Sequence, residues 1–138
     1  ERVFVQLENP HLVCVSNQFH SFSDEDYINF GTHLQKTYDA NIGLLSLNAD
    51  HSAVFKLRVY ERGAGLTLAC GSGAVAAAYA LRFLTGSAQS VSQFEMPGGM
   101  IRIEFFEDKF KNGCDVAVKL TAGANYSFSG LIDIAYLK

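Results

Sequence analysis

The feature that most constrains the fold is an alanine-rich segment, residues 71–84, which is apolar on nearly every side. It follows a glycine-rich turn and ends at Thr85-Gly86, where Gly86 suits the left-handed position after a helix. A helix that is apolar around most of its circumference is buried on all sides. Because most other segments have strand-like patterns, we expect a central helix wrapped by a sheet, with small side chains that let the strands approach closely.

The remaining segments predict one further helix and a series of strands. Ser23-Asp24-Glu25-Asp26 has the spacing of a capping box, which predicts a helix from about Asp24 to Lys36. The candidates for its inner face are Tyr27, Ile28 and Leu34. Pro97-Gly98-Gly99 predicts the turn of a hairpin, and 48–52 and 108–113 read as turns. Alternating residues predict strands at 2–7, 12–16, 40–47, 53–61, 90–95, 100–107, 115–121 and 126–137.

Length and composition fit one folded domain. The chain has 138 residues, 49% of them hydrophobic and 18% charged, as is typical of globular proteins. We therefore predict a single α+β domain over residues 1–138, with a mostly antiparallel sheet around the buried helix. The net charge of -3 offers no basic surface for nucleic acid. No apolar run is long enough to span a bilayer, so no membrane partner is expected.

The cysteines indicate a reducing compartment. There are three, widely spaced and without a CxxC pair, which argues against a disulfide framework or a zinc site and favours the cytoplasm. Cys14 and Cys114 lie within or beside predicted strands, and we interpret both as small buried hydrophobic residues. His20, His33 and His51 show no metal-ligand spacing, so no metal site is predicted.

Cys70 is the strongest candidate for a catalytic residue. It lies where a glycine-rich loop becomes the central helix and is followed by Gly71-Ser72-Gly73. The first turn of a helix carries unpaired N–H donors and the positive end of the helix dipole. Such a position binds anions and stabilises a thiolate. The alternative is that Cys70, like most free cysteines, is simply buried.

The glycine-rich segments on either side of Cys70 do not match other known glycine-rich motifs. Gly63-Ala64-Gly65 lacks the third glycine of a dinucleotide fingerprint, and no Lys-Ser/Thr of a P-loop is present. Gly71-Ser72-Gly73 lacks the spacing of a nucleophile elbow. The neighbouring Glu61-Arg62 is either a solvated ion pair of little energetic value or a pair that holds a substrate amine and carboxylate. His11, taken alone, reads only as a turn residue.

Five segments stand out in order along the chain: Asn9-Pro10-His11, Ala40-Asn41-Ile42-Gly43, residues 58–65, residues 67–74 and Pro97-Gly98-Gly99. Together they closely resemble the C-terminal half of diaminopimelate epimerases. The resemblance covers most of the chain up to about Thr121. It implies a pseudo-symmetric two-domain enzyme, each domain a β-structure around a central helix. Such enzymes interconvert LL- and meso-diaminopimelate in lysine and peptidoglycan-precursor biosynthesis without a cofactor.

The resemblance also implies roles for individual residues. Cys70 corresponds to one of two catalytic cysteines, and His11 and Glu61 lie beside the catalytic cysteines. The second cysteine belongs to an N-terminal half. The chain starts at Glu1 in a strand-like pattern, so we expect it to be part of a longer protein, inactive alone. Substrate-binding positions fall on Asn9, Asn41, Glu61, Arg62, Gly71 and Ser72.

The implied chemistry suits a helix start that carries a thiol. Inverting an α-carbon requires removal of a proton from one face and its return to the other, which a thiolate and a thiol on opposite faces can perform. Charge that develops on the substrate carboxylate is stabilised by helix N-termini aimed at it. Gly71 and Ser72 would supply N–H donors here, and their small size permits close approach.

Two other interpretations remain open. A proline-racemase-like or phenazine-pathway-like isomerase shares the architecture, although the runs around Glu61 and Cys70 favour the diaminopimelate enzyme. A catalytically inactive domain kept for binding or assembly is the second, because Leu66 stands where the family usually has glutamate. The resemblance further implies that the last strand, within residues 126–138, pairs outside this domain. An exposed strand edge of this kind predicts self-association, for example as a homodimer.

Overall fold

The computed structural model describes residues 1–47, 54–86, 91–106 and 117–131. In these ranges, no helix has the length and apolar character needed to cross a membrane. A short 3-10 helix, Asn17–Ser21, precedes the first α-helix. The regular elements are β1 (Arg2–Gln6), β2 (Pro10–Val15), α1 (Asp24–Tyr38), β3 (Asn41–Ser46), β4 (Val54–Glu61), β5 (Gly65–Thr67), α2 (Gly71–Thr85), β6 (Val91–Met96), β7 (Gly99–Phe106) and β8 (Ala117–Ala122).

The described strands form one sheet in the order β1-β2-β3-β4-β6-β7-β8, with β5 paired to the end of β4. The pairs β2/β3 and β4/β6 are parallel, and the other pairs are antiparallel. Each parallel pair is joined through a helix, because a parallel connection needs a crossover: α1 lies between β2 and β3, and α2 between β4 and β6. The predicted α+β fold with a mostly antiparallel sheet is confirmed.

Helix α2 occupies the concave side of the curled sheet. It contacts β1, β2, β3, β4, β7 and β8, which confirms the predicted central helix. Its alanines let the strands approach closely, and five of them have no exposed surface. One side is open, however: Phe83 is 77% exposed and lies with Tyr79 beside β1 along a groove of about 590 Å³. The fully buried alanines are Ala74, Ala76, Ala77, Ala78 and Ala80.

Helix α1 covers the other face of the sheet and begins as predicted. The Asp26 N–H donates to Ser23 Oγ at 3.2 Å, and the Ser23 N–H donates to the Asp26 carboxylate at 2.8 Å, which completes the capping box. Tyr27 and Leu34 are buried as expected. Ile28 is 44% exposed, so its prediction was wrong. The buried stripe runs through Tyr27, Gly31 and Leu34, and Ile28 lies about 100° away from Tyr27 around the helix.

The hairpin and most strand positions agree with the sequence pattern. Strands β6 and β7 pair through Pro97-Gly98, and Gly86 has the left-handed φ of 61° expected after α2. The short strand β5 and the 3-10 helix were not predicted. Residues 126–131 are exposed and form no strand within the described part of the chain, and the predicted pairing of this segment outside the domain stays a prediction. Turns 48–52 and 108–113, Cys114 and residues 132–138 lie outside the described residues, as do the ends of some predicted strands.

Candidate active site at the start of the central helix

Side-chain alternation brings three of the candidate residues to the α2 face of the sheet. Successive side chains of a strand point to opposite faces, so residues two apart share a face. His11 on β2, Asn41 on β3 and Glu61 on β4 therefore lie on the face that packs against α2. The core residues that define this face, two or four positions away on the same strands, are Val13, Leu45 and Val59.

Strand register then places these residues side by side. His11 lies opposite Asn41 in the β2/β3 pair. Ile42 lies opposite Tyr60 in the β3/β4 pair, so the antiparallel register puts Asn41 next to Glu61. The three polar side chains therefore cluster at one end of the strands, near the N-terminus of α2.

Cys70 is the N-cap residue of α2. Its backbone is extended, with φ −143° and ψ 111°, and its carbonyl accepts the first helical hydrogen bond from the Ala74 N–H at 3.0 Å. The Gly73 N–H donates to Cys70 Sγ at 3.4 Å, and Ser72 Oγ lies 3.6 Å from the sulfur. The sulfur therefore occupies the place that a serine or aspartate oxygen takes at most helix starts.

Gly73 allows the start of α2 to pack directly against the sheet. A Cβ at Gly73 would lie 2.8 Å from Val59 Cγ2 and 3.3 Å from Cys70 Sγ. The loop before Cys70 is held from the other side, where the Gly98 N–H of the β6–β7 turn donates to the Leu68 carbonyl at 2.7 Å. Cys70 is thus fixed between strand β4 and the hairpin turn.

Burial raises the pKa of the Cys70 thiol, and this effect dominates. Hydrogen bonds from Ser72 and from the Gly73 N–H lower that pKa, while the charge and hydrogen bonding of Glu61 raise it. The expectation that the helix start alone would stabilise a thiolate is corrected here. Because Cys70 is only 6% exposed and lies beside the Glu61 carboxylate, the neutral thiol is favoured in the chain as it stands.

Glu61 is held by a threonine that the sequence did not single out. The Thr67 hydroxyl donates to Glu61 Oε1 at 2.6 Å. Thr67 lies on β5, which pairs with β4 and turns the chain back past Glu61. A strand of three residues is too short to show a period, so the only available signal was the position of Thr67 three residues before Cys70.

His11 is fully buried beside Glu61. Its Nε2 lies 3.3 Å from Asn9 Oδ1, and within the described residues its Nδ1 has no hydrogen-bond partner. Burial lowers the pKa of His11, and the charge of Glu61 opposes that change. The net direction favours a neutral imidazole, which can both accept and donate a proton.

Asn41 and Arg62 shape the turn that follows β4. Asn41 Oδ1 accepts a hydrogen bond from the Arg62 N–H at 2.8 Å. The Arg62 guanidinium donates to the Asp39 carbonyl at 3.1 Å and to its carboxylate at 2.9 Å. This ion pair is exposed and therefore weak, so Arg62 can exchange Asp39 for another carboxylate at little cost.

Leu66 lies away from this cluster. It pairs with Tyr60 and packs with the core beneath α1, which includes Ile42, on the face of the sheet opposite Cys70. The hydrogen bond from Gly73 to the sulfur is present with leucine at this position. Among the described residues, no group of three or more His, Cys, Asp or Glu side chains could hold a metal ion.

Comparison with known proteins identifies the family of this chain. The family profile described as diaminopimelate epimerase matches residues 3–123. The chain belongs to the diaminopimelate epimerase family. A diaminopimelate epimerase of Picosynechococcus sp. is 40% identical over 79 residues, which are 57% of this chain and 26% of that protein. Diaminopimelate epimerase 1 of Nostoc sp. is 43% identical over 75 residues, 54% of this chain and 24% of that protein. The matched segment thus spans about a quarter of these relatives.

Solved structures share the fold. A phenazine biosynthesis protein of the PhzF family from Bacillus anthracis has a TM-score of 0.61 and 17% identity, and covers 81% of this chain and 34% of that one. A PhzF-family protein from Enterococcus faecalis has a TM-score of 0.57 and 16% identity, with 72% and 35% covered. At this identity the likeness supports the architecture of a sheet curled around a helix, and no more.

Proposed function

We propose that this chain is one half of a cofactor-independent epimerase that interconverts LL- and meso-diaminopimelate, with Cys70 as one of its two acid/base thiols. The observation that carries the proposal is the position of the Cys70 sulfur. It lies at the N-terminus of α2, 3.4 Å from the Gly73 nitrogen, beside the Glu61 carboxylate. A small-molecule substrate approaching the helix start would meet the thiol and the helix N–H groups together.

In the complex with substrate, Glu61 serves as the base for the Cys70 thiol. The Cys70 proton passes to the Glu61 carboxylate, which leaves a thiolate able to remove the α-proton of one substrate epimer. In the reverse direction the Cys70 thiol donates its proton to the α-carbon. The raised pKa of Cys70 suits the second role, because a thiol that holds its proton near neutral pH is available as an acid.

The helix start binds the substrate carboxylate. The Gly73 N–H is occupied by the sulfur and the Ala74 N–H by the Cys70 carbonyl, which leaves the N–H groups of Gly71 and Ser72 for an anion. Charge that gathers on the carboxylate as the α-proton leaves is stabilised there. Asn9, Asn41 and Arg62 lie at the surrounding substrate-binding positions, and Arg62 exchanges Asp39 for a substrate carboxylate.

The partner of this chain is an N-terminal half that brings the second thiol to the opposite face of the α-carbon. His11, neutral and buried beside Glu61, is the residue that we expect to assist the acid/base thiols. Both thiols need a reducing compartment, which places the enzyme in the cytoplasm. Residues 126–131, with Tyr126 and Phe128 more than 80% exposed, belong to the segment that we propose pairs outside this domain. For the chain alone we expect self-association, visible as a concentration-dependent mass in sedimentation experiments.

The test is exchange of the substrate α-proton. Diaminopimelate in deuterium oxide should take up no deuterium at its α-carbons with this chain alone, because the half that completes the substrate site and carries the second thiol is absent. The same chain joined to an N-terminal half should exchange and epimerise. A Cys14→Ala variant is the matched control, since Cys14 is a buried free cysteine outside the site. Exchange by the chain alone, or none by the joined protein, would refute the proposal.

A further inference from the structure

We propose that Thr67 is a positioning residue that holds the Glu61 carboxylate against the Cys70 thiol, an inference that deepens the proposed function and rests on it. The juxtaposition is direct. The Thr67 hydroxyl donates to Glu61 Oε1 at 2.6 Å, a short contact typical of a hydroxyl bound to a charged carboxylate. Within the described part of the chain, Thr67 makes no hydrogen bond to the sulfur, so it acts through Glu61.

Strand pairing explains why this threonine can do so. Glu61 ends β4, and its side chain is only half-buried, so nothing in the strand itself restrains the carboxylate. The short strand β5 pairs Thr67 with Val59 and Gly65 with Glu61, which sets the Thr67 side chain on the α2 face beside the carboxylate. Three residues later the chain reaches Cys70. The same short segment therefore places both the thiol and the group that orients its base.

The hydroxyl also suits a carboxylate that gains and loses a proton. Thr67 Oγ lies 3.5 Å from the Val59 carbonyl, a second acceptor behind it. When the Cys70 proton moves to Glu61, the neutral carboxyl can donate to Thr67 Oγ while the hydroxyl turns its own proton toward Val59. The contact between Thr67 and Glu61 is then kept in both states, because a hydroxyl both donates and accepts. A valine in its place could do neither.

The experiment measures the alkylation of Cys70 by iodoacetamide on the chain itself, followed by mass spectrometry of the Cys70 peptide over a range of pH. Glu61 is one of the groups that raise the pKa of this thiol. If Thr67 holds Glu61 in place, Thr67→Val lets the carboxylate move away, and the Cys70 alkylation rate at pH 7.5 rises about threefold. Thr67→Ser keeps the hydroxyl and keeps the wild-type rate. Glu61→Gln raises the rate as Thr67→Val does, and the double variant adds nothing further.

The matched control is Thr32→Val. Thr32 donates to the Tyr60 hydroxyl at 2.9 Å on the α1 face, so the same change there should leave the Cys70 rate unaltered. An unchanged rate in Thr67→Val, an equal change in Thr67→Ser, or no effect of Glu61→Gln would overturn the inference. Because alkylation needs no substrate, it succeeds or fails independently of the epimerase assay. If the joined protein is active, Thr67→Val should lower kcat more than it changes KM.

Discussion

The two helices lie on opposite faces of one sheet and begin in different ways. Helix α1 starts with a capping box, in which serine and aspartate satisfy each other's backbone N–H groups. Helix α2 starts with Cys70, whose sulfur takes the place of a capping oxygen. Serine is among the residues preferred at this position, and cysteine is not. The N-cap of α1 is therefore a residue type that stabilises a helix start. The N-cap of α2 is instead a residue with a reactive side chain at the same position.

Both helices also meet the same strand through a glycine. A Cβ at Gly31 of α1 would lie 2.6 Å from Tyr60 Cβ, and one at Gly73 of α2 would lie 2.8 Å from Val59 Cγ2. Val59 and Tyr60 are neighbours on β4, so the strand is held from both faces at one place. On the α1 face this approach sets packing alone. On the α2 face the close approach also fixes the position of the Cys70 sulfur, because the Gly73 N–H donates a hydrogen bond to that sulfur.

The largest contrast is expected from changing the two caps. In the joined enzyme, Cys70→Ser should lower the epimerisation rate by about 10³-fold, because a hydroxyl is a far weaker acid/base than a thiol. In the chain alone the same change should leave the free energy of unfolding within about 1 kcal/mol of wild type, since serine is a good N-cap. Ser23→Ala should do the reverse, with activity kept and stability lowered by about 1 kcal/mol. Kinetic assays and urea unfolding measure the two effects.

A Cys70→Ser enzyme with wild-type turnover would remove Cys70 from the chemistry. A Ser23→Ala enzyme with lost activity but a normal fold would mean that the two helix starts are not independent. Ser21→Ala is a suitable control for Ser23→Ala, because Ser21 is an exposed serine two residues away, outside the capping box.

The second contrast concerns the two glycines. Gly31→Ala should destabilise the chain by about 1–3 kcal/mol, because the added methyl meets Tyr60 at its Cβ and Cγ, which cannot move without the strand. Gly73→Ala should cost less, since it meets a γ-methyl of Val59, but it should also shift the Cys70 sulfur and change the alkylation rate of Cys70. Urea unfolding and alkylation distinguish the two. Asn29→Ala, at an exposed position of α1, controls for helix propensity.

Much of the site could be predicted from local pattern. Alternation along 53–61 places Glu61 on the face of Val59, and the structure keeps that face. The helix at 71–84 was predictable because a helix that is apolar on nearly every side must be buried. In a strand-rich chain, the sheet is the structure that can bury it. Cys70 stood out because it marks the change from loop to helix. Each of these inferences needs only residues close together in the chain.

The remainder depends on contacts between distant segments. The hydrogen bond from Thr67 to Glu61 arises from a strand too short to show a period. The pairing of Arg62 with Asp39 joins two loops that only the sheet brings together. The direction of the Cys70 pKa follows from burial and from the approach of Glu61, which outweigh the helix-start hydrogen bonds. Packing decides all three, and no local pattern encodes it.

The smallest difference expected between the α1 and α2 faces of the sheet is the effect of low pH on the free energy of unfolding. Burial holds the pKa of His11 below 6.5 in the folded chain, so the folded state resists protonation that the unfolded state accepts. The stability that His11 contributes is therefore fully present above about pH 6.5 and is lost as the pH falls through its folded value. Urea unfolding at pH 7.5 and pH 5.5 should show a loss in wild type that His11→Gln reduces. His33→Gln, on the exposed side of α1, should keep the wild-type loss. If His11→Gln does not fold, the ring-proton NMR shift of His11 in wild type serves instead, and titration at or above 6.5 would contradict the assignment.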